Sequence, residues 1–240
     1  MLIGMKALEE ERMVNRVIGD IHDEPWVEKI IVIDGWSTDY TVQELKQWPK
    51  CEIYLHKWEN WYHSMETSQS NILMSYIPYG KIYFILDFDE RCSQRLKDIL
   101  AKIDKEGMPE DADVGNVSRK TIELLRHEDS PHAILGEDSW GIEAFQTGQY
   151  PDFQCRIIRR RPEMYWINSP HHHLIGFDKG ININADLIHY EKDDLRDRER
   201  IERGWARMQA RRKELGLIPD SFEGRVKHDI HKYTNPDTWR

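Results

Sequence analysis

Apolar positions along the first hundred residues come in two forms. Short uninterrupted runs alternate with stretches whose apolar residues recur every three or four positions. Leu2–Met5 reads as a brief strand, and 9–21 as a helix with Met13, Val17 and Ile21 on one face. The run from Lys29 to Asp34, Lys-Ile-Ile-Val-Ile-Asp, has no polar alternation, as expected of a parallel strand covered on both faces. A turn follows at Gly35-Trp36-Ser37-Thr38-Asp39, with Ser37, Thr38 or Asp39 as candidate N-cap for a short helix over 41–48. Residues 52–55 read as a strand and 66–76 as a helix, broken by Pro78-Tyr79-Gly80. Residues 81–86 form a second continuous apolar strand, ending in Asp87-Phe88-Asp89-Glu90. Residues 93–105 form an amphipathic helix with Leu96, Ile99, Leu100 and Ile103 on one face. This alternation predicts an α/β fold with an open, mostly parallel twisted sheet flanked by helices and joined by right-handed crossovers.

Beyond about residue 107 the pattern loosens. Residues 114–118 and 155–158 read as shorter strands, and 136–152, rich in Gly, Asp, Trp and Tyr, as an irregular region over the sheet where specificity loops tend to lie. Residues 181–189 form one more strand. Residues 193–215 read as a helix with Ile201, Trp205, Met208 and Leu215 on one face, followed by a polar tail. The expected organisation is a domain over 1–192 with a C-terminal helix and tail over 193–240.

Composition narrows the class. Hydrophobic content of 39% supplies a core, and the net charge of −9 argues against a general nucleic-acid binder, which needs clustered Lys and Arg. Cys51, Cys92 and Cys155 are isolated and lack CxxC spacing, so they read as reduced thiols of a cytoplasmic-type protein. The segment Met1–Lys6 is too short for a signal h-region, and no apolar run approaches the ~20 residues needed to span a bilayer. The basic side chains of the 193–215 helix allow peripheral membrane contact. The acids interleaved among them favour a solvated helix.

Asp34 and Asp87 each stand at the carboxyl end of an apolar strand. Ligands of open parallel sheets bind in the crevice beyond those ends. The Asp87-x-Asp89 spacing lets two carboxylates approach a hard divalent cation such as Mg2+ or Mn2+, which keeps coordination sites for substrate phosphates. The bland alternative, that Asp-Phe-Asp-Glu only caps the next helix, is weakened by the apolar strand before it and the second acid at Asp34. His189 follows a strand and lies toward the same crevice. Of the adjacent His171, His172 and His173, at most two can share a face of an extended segment. Trp58, Trp61, Tyr62 and Trp140 are core or stacking candidates.

The segment Ile31-Val32-Ile33-Asp34-Gly35-Trp36-Ser37-Thr38-Asp39-Tyr40-Thr41 resembles the signature of family 2 glycosyltransferases of the GT-A fold. Phe84-Ile85-Leu86-Asp87-Phe88-Asp89-Glu90 is similar to the family's Leu-Asp-x-Asp-Glu. Gln69-Ser70-Asn71, Arg156-Ile157-Ile158-Arg159-Arg160 and Leu187-Ile188-His189-Tyr190 resemble stretches of one bacterial, lipopolysaccharide- or glycan-type branch. The likeness covers roughly residues 3–205. It implies a GT-A (Rossmann-like) sheet and inverting transfer of a sugar from a UDP- or GDP-linked donor to a glycan, lipid or protein hydroxyl. It implies a nucleotide site at Asp34, Gly35, Ser37, Asp39, Gln69 and Asp87. A divalent metal would be held by Asp87 and Asp89, with His189, His171 or His173 as further ligands. The family's His-Glu motif is replaced by Pro170-His171-His172-His173-Leu174, so the carboxylate base stays open among Glu137, Asp138 and Asp152. Its Lys-Asn-Glu-Glu is replaced by Lys6-Ala7-Leu8-Glu9-Glu10. A non-catalytic nucleotide- or glycan-binding module on the same scaffold is the alternative of a different class. A phosphohydrolase of the haloacid-dehalogenase type, with Asp87 as nucleophile, ranks below both because several elements precede its motif.

Overall fold

The computed structural model describes residues 1–57, 65–124, 144–167 and 172–191. Three parallel strands open the chain: β1 (Leu2–Ala7), β2 (Lys29–Asp34) and β3 (Cys51–Leu55). Helix α1 (Glu11–Ile21) joins the first two and α2 (Thr41–Leu45) the next two. Helix α3 (Met65–Ser75) leads into β4 (Ile82–Ile85). The short β5 (Glu90–Cys92) and helix α4 (Gln94–Glu106) follow. The later part is β-rich, with β6 (Val114–Leu124), β7 (Ala144–Arg159), the hairpin β8 (Tyr165–Ile167) and β9 (His173–Ile175), and β10 (Gly180–Glu191). Eight strands form one sheet in the order β3-β2-β1-β4-β7-β6-β10-β5; β8 and β9 pair separately. The β3-β2, β2-β1, β1-β4 and β6-β10 pairs are parallel, and β7 and β5 run antiparallel to their neighbours.

The period-two alternation of β2 sorts the core into two layers. Ile30 and Val32 face α1 and α4 and join Val14, Val17, Ile18, Leu96, Leu100 and Ile103. Ile31 and Ile33 face α3 and the β8–β9 hairpin and join Leu73, Met74, Ile77, Met164 and Trp166. Burying an aliphatic side chain of this size stabilises the fold by about 1.5–3 kcal/mol, so both faces of β2 carry weight. At Gly4 a Cβ would lie 2.9 Å from Leu73 Cδ2, so the absence of a side chain lets α3 close on β1. Helix α4 begins where Ser93 Oγ accepts from Leu96 N at 3.2 Å, the N-cap expected of Ser.

Three expectations from sequence need correction. The strand expected over 114–118 extends to Leu124, and residues 144–152, expected to be irregular, belong to β7, a strand of 16 residues. Helix α2 is capped at Tyr40 rather than by Ser37, Thr38 or Asp39, although Asp39 Oδ1 accepts from Thr41 N at 2.9 Å. Residues 136–143, the helix expected over 193–215, Trp58, Trp61, Tyr62 and Trp140 lie outside the described residues.

Candidate active site

The strand order reverses at β1: the chain moves to β2 and β3 on one side, then returns to β4 on the other. In open α/β sheets the crevice outside the carboxyl ends at such a point is where ligands bind. Continuing the β1–β4 register from Gly4↔Ile85 by two residues brings Lys6 level with Asp87. Lys6 Nζ stands 4.0 Å from Asp87 Oδ1 and donates to Ser70 Oγ on α3 at 3.4 Å.

Asp87 and Glu90 close a tight turn, with Asp87 N donating to Glu90 Oε2 at 3.0 Å and Glu90 N to Asp87 O at 3.1 Å. A buried guanidinium from β7 bridges the two acids. Arg156 Nη1 donates to Asp87 Oδ2 at 3.0 Å, and Nη2 donates to Glu90 Oε1. Burial works against the charge on Arg156, but Glu90 and Asp87 raise its pKa above the ordinary value. Burial also works against the Asp87 carboxylate; Lys6 and Arg156 outweigh it and hold the group well below the usual range. Glu90, only 1% exposed, is pushed up to about 7, first by burial and then by Asp87 and Asp89, against the pull of Arg156.

Asp89 lies on the far side of the turn. Its carbonyl accepts from Tyr190 N at 2.7 Å, joining the turn to β10. His189 Nε2 stands 3.7 Å from Asp89 Oδ2, and His189 Nδ1 is 3.3 Å from Thr121 Oγ1. Burial disfavours the imidazolium, yet Asp89 and Glu90 raise the His189 pKa overall. The β6–β10 register puts Arg119 and Thr121 opposite Leu187 and His189, on one face of the ribbon. Arg119 clamps Asp152 through Nε at 3.0 Å and Nη2 at 2.8 Å, and Gln154 Nε2 donates to the other Asp152 oxygen at 2.9 Å.

Asp34 ends β2 in a different setting. It is fully buried. Oδ1 accepts from Trp36 N at 3.0 Å and Ser37 N at 2.9 Å, and Oδ2 from Ser37 Oγ at 2.6 Å. The loop it organises reaches across to α1. Ser37 Oγ accepts from Glu9 N at 2.9 Å, Thr41 Oγ1 from Glu10 N at 2.7 Å and Asp39 Oδ2 from Glu11 N at 3.2 Å. The first amide of a helix has no intrahelical partner; in α1 that amide, Glu11 N, and the two amides leading into the helix, Glu9 N and Glu10 N, find theirs on the loop after β2. Glu9 and Glu11 return the bonds: Thr38 N donates to Glu9 Oε1 at 2.7 Å and Tyr40 N to Glu11 Oε2 at 3.0 Å. The side chains of Ser37 and Asp39 thus have structural partners in the interlocked loops.

Of the other residues singled out by sequence, Gln69 is buried on α3, and its amide donates to His56 O at 2.9 Å and Lys57 O at 3.5 Å. His173 is exposed on β9, whereas the charge of His172 acts on Asp87 and its ring meets Trp166 edge-on at 4.6 Å. Glu137, Asp138 and His171 lie outside the described residues. Among the described residues no three His, Cys, Asp or Glu side chains converge tightly enough to be a ready metal cluster. Asp89 and His189 offer an oxygen and an imidazole nitrogen that suit a divalent cation completed by phosphate oxygens and water. Asp87, already facing two cations, suits that role less. Sequence reasoning missed Arg156, Glu90, Lys6 and Arg119. An arginine beside the apolar pair Ile157-Ile158 was the available signal for a buried cation in need of acids.

Fold and site together define an α/β protein with an acidic turn at its topological switch point. The sequence matches no protein-family profile and no curated protein. Among solved structures it is similar to Staphylococcus aureus TarS 1–349 in complex with UDP, at 16% identity and a TM-score of 0.40, covering 57% of this chain and 39% of that one. It is also similar to HddC from Yersinia pseudotuberculosis, at 12% identity and TM-score 0.40 over 78% and 92% of the two chains. A third is 4-diphosphocytidyl-2C-methyl-D-erythritol synthase, at 10% and 0.39 over 65% and 72%. The chain spans less than half the length of the TarS structure with UDP. No helix among the described residues is long and apolar enough to cross a membrane.

Proposed function

We propose that this chain is a glycosyltransferase that moves a sugar from a nucleoside-diphosphate donor to a hydroxyl of a glycan, lipid or protein, with inversion at the anomeric carbon. The observation that carries the reading is the acidic turn Asp87-Phe88-Asp89 at the end of β4. It sits at the switch point with Lys6 4.0 Å from one carboxylate oxygen and Arg156 3.0 Å from the other. Lys6 and Arg156 bring positive charge to the place where a diphosphate would leave, and fixed charges aimed at developing negative charge lower a barrier without reorganising. Asp89 and His189 would hold Mg2+ or Mn2+, which supplies Lewis-acid stabilisation of the leaving diphosphate when bound. The Asp34 loop is the nucleoside end of the site, and Asp87 borders its phosphate end. The acceptor hydroxyl loses its proton to a carboxylate, for which Glu137, Asp138 and Asp152 remain the candidates.

Calorimetric titration with UDP and GDP, with and without Mn2+, tests the donor side. Metal-dependent binding of one nucleotide, abolished in Asp89→Ala, is expected; binding that ignores both the metal and Asp89 would sink the reading. A second reading, a nucleotide- or glycan-binding module without catalysis, is favoured by one observation: both oxygens of Asp152 already accept hydrogen bonds, from Arg119 and Gln154. Donor binding without donor hydrolysis or transfer across an acceptor panel would select it.

A further inference from the structure

Asp34 and Gln69 look like ligand-binding residues in sequence, yet each is turned into the protein. Asp34 already receives three hydrogen bonds from Trp36 and Ser37, and the Gln69 amide holds the backbone of His56 and Lys57. What these two buried anchors present outward is a pair of side chains. Trp36 is 56% exposed, an unusual state for the largest aromatic residue. Its backbone has φ +70°, a left-handed conformation that side chains other than Gly, Asn and Asp rarely adopt. Strain of that kind persists only where the surroundings enforce it, and it gathers at functional sites. Here the enforcing contact is Asp34 Oδ1 on Trp36 N. The Lys57 ammonium stands over the indole, 5.4 Å from the ring centroid. His56 N donates to Asp34 O at 2.9 Å, which ties the backbone beside Lys57 to the strand end that carries Trp36.

Building on the nucleotide-dependent reading above, we infer that the indole face of Trp36 away from Lys57 is the stacking platform for the heterocyclic base of the nucleotide, with Lys57 over the other face to meet the anionic part of the same ligand. An indole offers a flat polarisable face, and stacking suits any base because every base has a π-face. The platform lies at the end of β2, and the acidic turn lies beyond β1 at the end of β4. Adjacent strands are about 4.8 Å apart, so two strand spacings, roughly 10 Å, match the reach from base to diphosphate. In this arrangement Asp34 and Gln69 are positioning residues that act through Trp36 and Lys57.

Calorimetry with three probes, each with Mn2+, tests the inference: UDP, GDP and inorganic pyrophosphate. Trp36→Gly removes the ring and accepts a positive φ, so its fold is expected to hold, as a thermal melt will check. UDP or GDP should bind Trp36→Gly on the order of 10-fold or more weakly, Trp36→Phe should keep most of the affinity, and pyrophosphate should bind all three proteins alike. Nucleotide affinity within about two-fold of the parent in Trp36→Gly would overturn the platform and leave the proposed function standing. So would an equal loss for pyrophosphate, because the effect would then not belong to the base. If the parent protein binds none of the three probes, platform and proposed function fall together.

Discussion

Two strands of this sheet, β2 and β4, lead into an aspartate at their carboxyl ends, and the two acids are held in opposite ways. Asp34 is fully buried among neutral donors, two backbone amides and a hydroxyl, all within three residues of itself. Asp87 keeps a third of its side chain exposed and faces cations that come from far along the chain, Lys6 on β1 and Arg156 on β7. Local donors fix a loop; distant cations fix a charge distribution. An acid at a strand end is therefore not by itself a ligand site, and the company it keeps decides whether it organises backbone or sets a charge distribution.

The largest effect that would break this contrast is expected at Arg156. Arg156→Met leaves Glu90 buried without its partner, and removing one member of a buried ion pair costs about 3–5 kcal/mol. Urea denaturation will read this, and the double variant Arg156→Met/Glu90→Gln should recover part of the loss. A drop below about 1 kcal/mol would mean that the pair behaves as a solvated surface contact. Asp34→Ala should cost about 3 kcal/mol, since two amides and a hydroxyl lose a charged acceptor, and Asp34→Asn should cost less. Equal costs for the two variants would show that charge at Asp34 does not matter to the loop.

A pH series sharpens the comparison further. Glu90 titrates near 7 in the fold and near 4.5 when unfolded, so the folded state holds a proton that the unfolded chain has released between those values. Stability should therefore fall as pH rises from 5 to 7, by about 1.4 kcal/mol per pH unit at most for one group. Glu90→Gln should flatten that slope in denaturant midpoints; an unchanged slope would assign the effect elsewhere. The smallest effect is expected at the entry to α1: Thr41→Val removes the acceptor of Glu10 N and should cost about 1 kcal/mol, the usual net worth of a hydrogen bond. That loss should appear in a thermal melt without altering pyrophosphate binding.

Much of the architecture was legible residue by residue. β2 is readable from Lys29 to Asp34 because a strand buried on both faces shows an unbroken apolar run, and α4 because Leu96, Ile99, Leu100 and Ile103 recur on one face. β6 and β7 were underestimated. Their outer halves carry Arg119, Lys120, Thr121, Gln146 and Thr147, polar residues in strands whose pairing is non-local, such as Thr121 with Thr147, and leaves no clean alternation. The acids Asp34, Asp87 and Asp89 were visible from their place after apolar runs. Arg156 was not assigned a role, because its partners lie 69 and 66 residues away and only the folded sheet brings them together. The expected roles of Ser37 and Asp39 rest on likeness to a motif; the bonds their oxygens also accept from Glu9 N and Glu11 N, 28 residues away, leave no mark in the local sequence.

The borrowed acceptors at the entry to α1 have a consequence for how the chain is made. The backbone entering α1, from Glu9 to Glu11, is satisfied only when Ser37, Thr41 and Asp39 are in place, so in a chain emerging from the ribosome the entry to the first helix cannot be fixed until about thirty further residues have followed. β1, α1, β2 and the loop after it should then be acquired, and lost, as one cooperative unit. Amide exchange at Glu9, Glu10 and Glu11 should keep pace with exchange in β2 rather than fray ahead of it.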